Sequence, residues 1–315
     1  MCTGCLPAPP APTGPRGDPI DLLVEPDAGP EAVLDLIASA RASLWMEMYL
    51  LTDGRATDAL AARARAGCDV RVALDPAPYG DETGNQGAFE ALGAAGVAVR
   101  WSSPRFTYTH AKAFTIDHAR LVVMTLNLTG AGLAGNREYV AVDDDPADVG
   151  AAEALFQADA TGAVARGRAR VVTSPDGSRA ALADLIAGAT RTLDVETEEL
   201  TDQAMVRSLL EARARGVAVT LVWPGPAGSG APFTTLAAAG VTVRATTAPA
   251  IHAKAVVADQ VRAYVGSVNL SPTSLDENRE IGLMLDGPQD RAVAARLAST
   301  VDDDAGRGVS PAALY

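Results

Sequence analysis

The sequence predicts an α/β protein of two similar lobes, and three observations predict it: a duplicated motif, a duplicated frame upstream of that motif, and strands alternating with helices inside each copy. The chain of 315 residues holds only two lysines, Lys112 and Lys254, and its other basic side chains are all arginine. Each lysine stands two residues after a histidine and five before an aspartate, in His110-Ala-Lys112-Ala-Phe-Thr-Ile-Asp117 and His252-Ala-Lys254-Ala-Val-Val-Ala-Asp259. After each aspartate come six residues and then Met124-Thr125-Leu126-Asn127 or Gly266-Ser267-Val268-Asn269, followed by Asn136-Arg137-Glu138 or Asn278-Arg279-Glu280, so histidine and glutamate are 28 apart in both copies. Upstream, Pro26-Asp27, Ala38, Leu44, Glu47, Thr52 and Asp53 recur 149 residues later as Pro175-Asp176, Ala187, Leu193, Glu196, Thr201 and Asp202. At the histidines the offset is 142, so the copies differ in loop length. A repeat of about 145 residues is far longer than a solenoid unit and implies two lobes. The boundaries are a flexible leader over 1–17, a first repeat over 18–160 and a second over 168–315.

The elements follow in order. Residues 1–17 carry proline at 7, 9, 10, 12 and 15, which excludes a helix or a central strand. In the first repeat, 20–24 reads as a short apolar strand, 30–42 as a helix opened by Pro30, 43–50 as a strand, 56–66 as a helix and 70–74 as a strand. The second repeat copies this with 170–173, 179–189, 193–197, 202–215 and 217–223. Such alternation implies mainly parallel sheets covered by helices. Each motif then lies on a hairpin, with turns at 117–120 and 259–262, followed by a further helix. Side chains two apart on a strand share a face, so His110 projects with Lys112, His252 with Lys254, Thr125 with Asn127 and Ser267 with Asn269. Asp117 and Asp259 have the opposite parity and read as structural partners of the turn or of a nearby cation.

Composition narrows the function classes. A formal charge of −13 and a pI near 4.7 argue against the basic stripe of a broad nucleic-acid footprint, while allowing a local positive pocket. No apolar run reaches the roughly 20 residues of a membrane span. Cys2, Cys5 and Cys68 match neither a disulfide framework nor a zinc site. Without a signal peptide the default location is cytoplasmic, although Cys2 before a Pro-rich tether also fits the start of a trimmed lipoprotein. The expected form is a monomer.

Two lysines, two asparagines, two hydroxyls and two histidines, without a metal-ligand cluster, make an anion site that needs no metal or cofactor. A phosphodiester is the natural target, because fixed cations and amide donors stabilise the charge on its oxygens in the transition state. One neutral histidine attacks phosphorus and the other, protonated, donates to the leaving alcohol. Glu138 and Glu280 would each accept from the second ring nitrogen of a histidine.

These residues resemble the phospholipase D superfamily, whose signature is this His-x-Lys-x4-Asp followed by Gly-Ser-x-Asn, usually twice; the likeness covers residues 18 to 315. It implies two α/β/α sandwich lobes facing each other about a pseudo-twofold axis, one active site at their interface and a phosphohistidine intermediate. It also implies His110 as nucleophile, His252 as acid and base, and Lys112, Lys254, Asn127 and Asn269 as phosphate ligands, with Thr125 and Ser267 beside them. Met124-Thr125 departs from Gly-Ser.

Shared catalytic residues do not separate lipases from nucleases. A phospholipid headgroup hydrolase or transferase in transient contact with a membrane surface is the first expectation, with loops 75–89, 101–108 and 223–233 as an apolar mouth. A nuclease on short or single-stranded substrate is the alternative, with Trp101, Phe106, Tyr108 and Trp223 stacking bases. Glu47 and Glu196 read either as site-lining or as buried structural carboxylates, His118 as a turn residue, and Asp143 to Asp145 and Asp302 to Asp304 as solvated charges.

Overall fold

The computed structural model describes residues 20–163, 167, 170–225 and 230–314. The leader with Cys2 and Cys5, most of the junction between repeats and residues 226–229 of one mouth loop lie outside the described residues.

The first lobe runs β1 (Asp21–Glu25), α1 (Pro30–Ser39), β2 (Ser43–Met48), α2 (Gly54–Arg65), β3 (Asp69–Leu74), α3 (Gln86–Ala94), β4 (Ala98–Trp101), β5 (Lys112–Ile116), β6 (Arg120–Met124), α4 (Gly130–Ala134), β7 (Asn136–Asp143) and α5 (Pro146–Thr161). The second runs β8 (Val171–Ser174), α6 (Ser178–Ala187), β9 (Thr192–Glu196), α7 (Gln203–Ala214), β10 (Ala218–Trp223), α8 (Ala231–Ala238), β11 (Thr242–Ala245), β12 (Ala250–Ile251), β13 (Ala255–Ala258), β14 (Arg262–Gly266), α9 (Pro272–Asp276), β15 (Glu280–Leu285) and α10 (Arg291–Arg307). The sheet orders are β1-β7-β6-β5-β2-β3-β4 and β8-β15-β14-β13-β9-β10-β11, the same strand for strand. That identity of order is the duplication expressed in three dimensions.

The sheets are mixed rather than mainly parallel. Among the described strands β2-β3-β4 and β9-β10-β11, linked by helical crossovers, run parallel, as does the short pairing of β12 with β7. The motif hairpin enters beside β2 or β9 in the antiparallel sense, and the strands beyond it stay antiparallel. Helix α3, strands β4 and β7, and their counterparts α8, β11 and β15 are absent from the sequence-based assignment. Gln86-Gly-Ala-Phe-Glu-Ala-Leu-Gly-Ala buries only Ala88 and Leu92, a stripe too thin to read as amphipathic. Polar Asn136-Arg137-Glu138 hides the start of β7.

Apolar side chains collect in three layers. On the outer face of the first sheet Val33, Ile37, Leu60 and Leu92 pack on Met46, Val72, Phe114 and Val122. Leu182, Ile186, Leu209 and Leu236 repeat this on Val195, Leu221, Val256 and Tyr264. Between the sheets a single shared cluster joins α5 (Val149, Leu155, Phe156) and α10 (Val293, Leu297, Val301) to Ala113, Val123, Val257 and Val265. Each lobe is thus an α/β/α sandwich, and each large aliphatic buried in the shared layer contributes about 1.5–3 kcal/mol to holding the lobes together.

Two buried arginines reinforce that layer reciprocally. Arg137 of β7 donates to Asp304 of α10 (2.6 Å) and to the Glu25 carbonyl (2.7 Å). Arg279 donates to Asp159 of α5 (2.6 Å) and to the Ser174 carbonyl (2.8 Å). Each helix therefore holds the arginine of the other repeat. Asp304 and Asp143 are buried, the latter on Arg170, so the expectation of solvated charge is corrected there; Asp145 N-caps α5 and Asp302 and Asp303 are exposed.

The aspartates of the motifs clamp the hairpins. Residues 117, 118, 259 and 260 all have positive φ, as a tight type I′ turn requires. That turn aims Asp117 at the backbone N–H groups of Arg41, Ala42 and Ser43, and Asp259 at those of Thr190, Arg191 and Thr192. Each carboxylate pins its hairpin to the start of the neighbouring strand. His118 lies at the turn, with Nδ1 2.8 Å from Glu153.

Candidate active site

The site is built by an exchange of backbone between the lobes. Ile251 in β12 bridges in parallel to Arg137 of β7, and Thr109 bridges in parallel to Arg279 beside β15. One residue further along, His110 faces Glu280 and His252 faces Glu138. His110 Nδ1 lies 3.0 and 2.9 Å from the two Glu280 oxygens, and His252 Nδ1 lies 2.6 Å from Glu138 Oε1, off the line of a good hydrogen bond. Each histidine is thus oriented by the glutamate of the opposite repeat, so neither lobe alone contains a complete pair.

The glutamates are braced from behind. Glu138 accepts from Thr125 Oγ1 (2.5 Å), and Glu280 accepts from Ser274 Oγ (2.5 Å) and Asn278 Nδ2 (3.1 Å). Burial raises both carboxyls, but the facing histidines outweigh it and hold both below the usual range. Burial pushes His110 down, against the pull of Glu280, favouring neutral imidazole.

Lys112 and Lys254 are both buried and each donates to the backbone carbonyl of its own histidine, at 2.9 and 2.5 Å. Burial, then Lys254, push Lys112 down to about 7, which shows that the two half-sites converge. Asn127 Oδ1 and Asn269 Oδ1 are buried without partners. The hydroxyls of Thr125 and Ser267 bond within their own lobes instead. β6 and β14 end at Met124 and Gly266, so strand alternation lapses just before these hydroxyls. Both turn inward: Thr125 accepts from Tyr139 N (2.9 Å), and Ser267 accepts from Ile281 N (3.0 Å) and donates to Ile281 O (3.2 Å).

Met124 is also explained. Its side chain lies in the outer core of the first lobe, away from the histidines. In the second lobe a Cβ on Gly266 or Gly282 would collide with Tyr264, which fills both places. The first lobe puts Val122, Met124 and Val140 in that volume instead.

Glu198 is the site residue that sequence reasoning missed. It follows β9, and its carboxylate meets Lys254 Nζ (2.9 Å), Asn269 Nδ2 (3.4 Å) and His252 Nε2 (3.4 Å). Its signal was a run, Glu196-Thr-Glu198-Glu199, at the end of a strand already known to carry a matched glutamate. Glu196 and Glu47 are buried, on the Tyr139 hydroxyl (2.6 Å) and on Arg100 (3.4 Å), as buried paired carboxylates would be. In the 149-residue frame Glu198 matches Tyr49, whose ring lies edge-on to His110 at 4.5 Å and 5.0 Å from Lys112 Nζ. Among the described residues no group of three or more His, Cys, Asp or Glu side chains is arranged to hold a metal ion.

Beside His110 opens a cleft of about 320 Å³ lined by residues including Asp75, Tyr79, Glu82, Ser102, Phe106 and Tyr108. The mouth is more acidic than expected. Trp223 stacks on Phe233 in the core of the second lobe and Trp101 stacks on Phe89, so neither lines the cleft. No helix among the described residues is long and apolar enough to cross a membrane.

A family model described as "Cardiolipin synthase, PLD-like domain" matches residues 33–160 and 182–304, one stretch per lobe. The chain belongs to the phospholipase D-like phosphodiesterase superfamily. A curated relative, Phospholipase D Z of Dictyostelium discoideum, is 37% identical over 86 residues, 25% of this chain and 20% of that protein. The chain therefore matches only a fifth of the length of that relative. Phosphatidylserine synthase of Haemophilus influenzae superposes with a TM-score of 0.70 at 13% identity, over 92% of this chain and 87% of that one. Polyphosphate kinase of Porphyromonas gingivalis gives 0.69 at 15% identity, over 90% of this chain and 50% of that one. These two likenesses establish the two-lobed phospholipase D-like fold.

Proposed function

We propose that this phospholipase D-like chain is a monomeric enzyme that hydrolyses or transfers the headgroup of a glycerophospholipid through a covalent phosphohistidine, without a metal. The observation that carries the reading is the reciprocal His110–Glu280 and His252–Glu138 pairing beside Lys112, Lys254, Asn127 and Asn269. With Nδ1 occupied by Glu280, Nε2 of His110 is left to attack phosphorus. The phosphorus–oxygen bond to the headgroup breaks as His252 gives that oxygen a proton. Carboxylates of Glu138 and Glu198 stand 2.6 and 3.4 Å from the two ring nitrogens of His252. The neutral His252 then takes a proton from water or an alcohol, which displaces His110 and leaves both histidines as they began. Lys112, Lys254, Asn127 and Asn269 hold the phosphoryl oxygens.

Lipid is favoured over nucleic acid by several observations. The name of the curated relative is that of a phospholipase, the cleft lining carries Asp75 and Glu82, and two of the four aromatic side chains expected to stack bases lie elsewhere. Tyr79, 84% exposed at the cleft rim, is suited to the water–lipid boundary. The test is turnover by wild type and His110→Ala, in chelator, on phosphatidylcholine vesicles and on single-stranded DNA. Choline release lost in the variant is expected. DNA cleavage alone would transfer the protein to the nucleases, and inactivation by chelator would end the metal-free chemistry.

A further inference from the structure

Glu198 bonds the donors that the proposed function reserves for substrate phosphate. Its carboxylate oxygen Oε2 receives Lys254 Nζ and Asn269 Nδ2, and stands 3.4 Å from His252 Nε2, the nitrogen that must reach the leaving oxygen. Burial alone would raise this carboxyl, but Lys254 and His252 outweigh it and hold it well below the usual range, so it is charged wherever the enzyme works. Neutralising Lys254 does not explain the residue, because the equivalent lysine of the first lobe has a tyrosine ring at the matched position.

We infer that Glu198 sets the ligand charge the site accepts: a phosphodiester with one negative charge displaces its carboxylate, whereas dianionic monoesters and polyanions are rejected. The inference rests on the phosphate-site reading above. A phosphoryl oxygen cannot take Lys254 and Asn269 while Glu198 holds them, so the carboxylate must turn aside. Its side chain is 38% exposed and free to do so. Its backbone is not: the Glu199 carbonyl accepts from Leu270 N (3.1 Å) and Thr197 Oγ1 (2.7 Å), and Leu200 bridges to Leu270. The displaced charge therefore remains at the rim, a few ångströms from the phosphate. Two unit charges at that separation near a protein surface interact strongly enough to change affinity by about tenfold or more. One ligand charge replaces Glu198 on Lys254; a second adds to the repulsion from the displaced carboxylate.

The experiment is calorimetric titration of the full chain with dimethyl phosphate and with methyl phosphate at about pH 8, where the monoester carries two charges. Wild type is expected to bind dimethyl phosphate more tightly. Glu198→Gln keeps the shape and is expected to tighten methyl phosphate at least tenfold more than dimethyl phosphate, reversing the preference. Glu198→Asp keeps the charge and withdraws it from Lys254, and is expected to go on rejecting methyl phosphate. Equal effects of Glu198→Gln on both anions, or none, overturn the role of Glu198 while leaving the phosphate site standing. Failure of both anions to bind wild type and variants overturns the phosphate site and, with it, this inference.

Discussion

The lysine of the first lobe lies under a tyrosine ring, and the lysine of the second lies against a carboxylate. Much behind them is matched: the aspartate clamps, the crossed His–Glu pairs, the buried arginines and the strand order. Duplication has preserved the frame and let the lining diverge, and the divergence falls beside the two histidines to which the proposed mechanism gives different work. The first half-site is less ionic, and burial keeps His110 towards the neutral imidazole a nucleophile requires. The second surrounds His252 with carboxylates on both nitrogens, as suits a proton donor.

The largest effect that can break this comparison is on the histidines themselves. His110→Ala is expected to lower turnover by on the order of 10⁴-fold or more and to yield no acid-quenched phosphoenzyme. His252→Ala should also be slow on a lipid, but with a p-nitrophenol leaving group, which needs no proton, it should still trap phosphate. Equal labelling of the two variants would make the halves interchangeable.

Next come the arginines that the frame shares. Arg279→Met leaves buried Asp159 without its ion-pair partner, at a cost of about 3–5 kcal/mol in denaturant unfolding. Arg137→Met should cost somewhat less, because Asp304 keeps Arg307 at 3.1 Å and the other partner of Arg137, Asp27, is largely exposed. A variant unaffected in stability would show that one clamp is ornamental and the pseudo-symmetry only formal.

The frame was legible in the sequence for the reason that makes it symmetrical. His110, Lys112, Asp117, Asn127 and Glu138 and their counterparts recur at equal spacing, and spacing is visible in one dimension. Which glutamate serves which histidine was not, because the crossing depends on β12 pairing with β7 and Thr109 with Arg279, contacts between residues more than 100 apart. Where the Thr125 and Ser267 hydroxyls turn was not legible either, because β6 and β14 end one residue before them and strand alternation lapses there. Glu198 escaped because the other copy has Tyr49 at the matched position, and a search for repeats discards disagreement.

Packing offers a smaller test. Met124→Gly should cost about 3 kcal/mol, from the cavity and the freer backbone. Val122→Tyr, Met124→Gly and Val140→Gly together import the arrangement around Tyr264, and should be about 2 kcal/mol more stable than the two glycine substitutions without the tyrosine. Additive losses in unfolding experiments would mean that the two cores are not alternative fillings of one volume.

The smallest expected effect is the pH dependence that Lys112 confers. Its folded-state value is about 7, against the ordinary 10.5 of a lysine, so between those pH values the unfolded chain binds the extra proton and stability rises with pH. Below about pH 7 both states are protonated, and the full cost of burying the ammonium is present. Lys112→Met removes this contribution, so wild type should gain thermal stability relative to the variant as pH rises from about 7 to 10. Glu47 and Glu196, raised by burial to about 8, have the opposite slope between their unfolded and folded values, but both proteins carry them and they cancel in the difference. A melting-temperature difference independent of pH would mean that Lys112 keeps its proton when buried, and the electrostatic contrast between the half-sites would then rest on Glu198 alone.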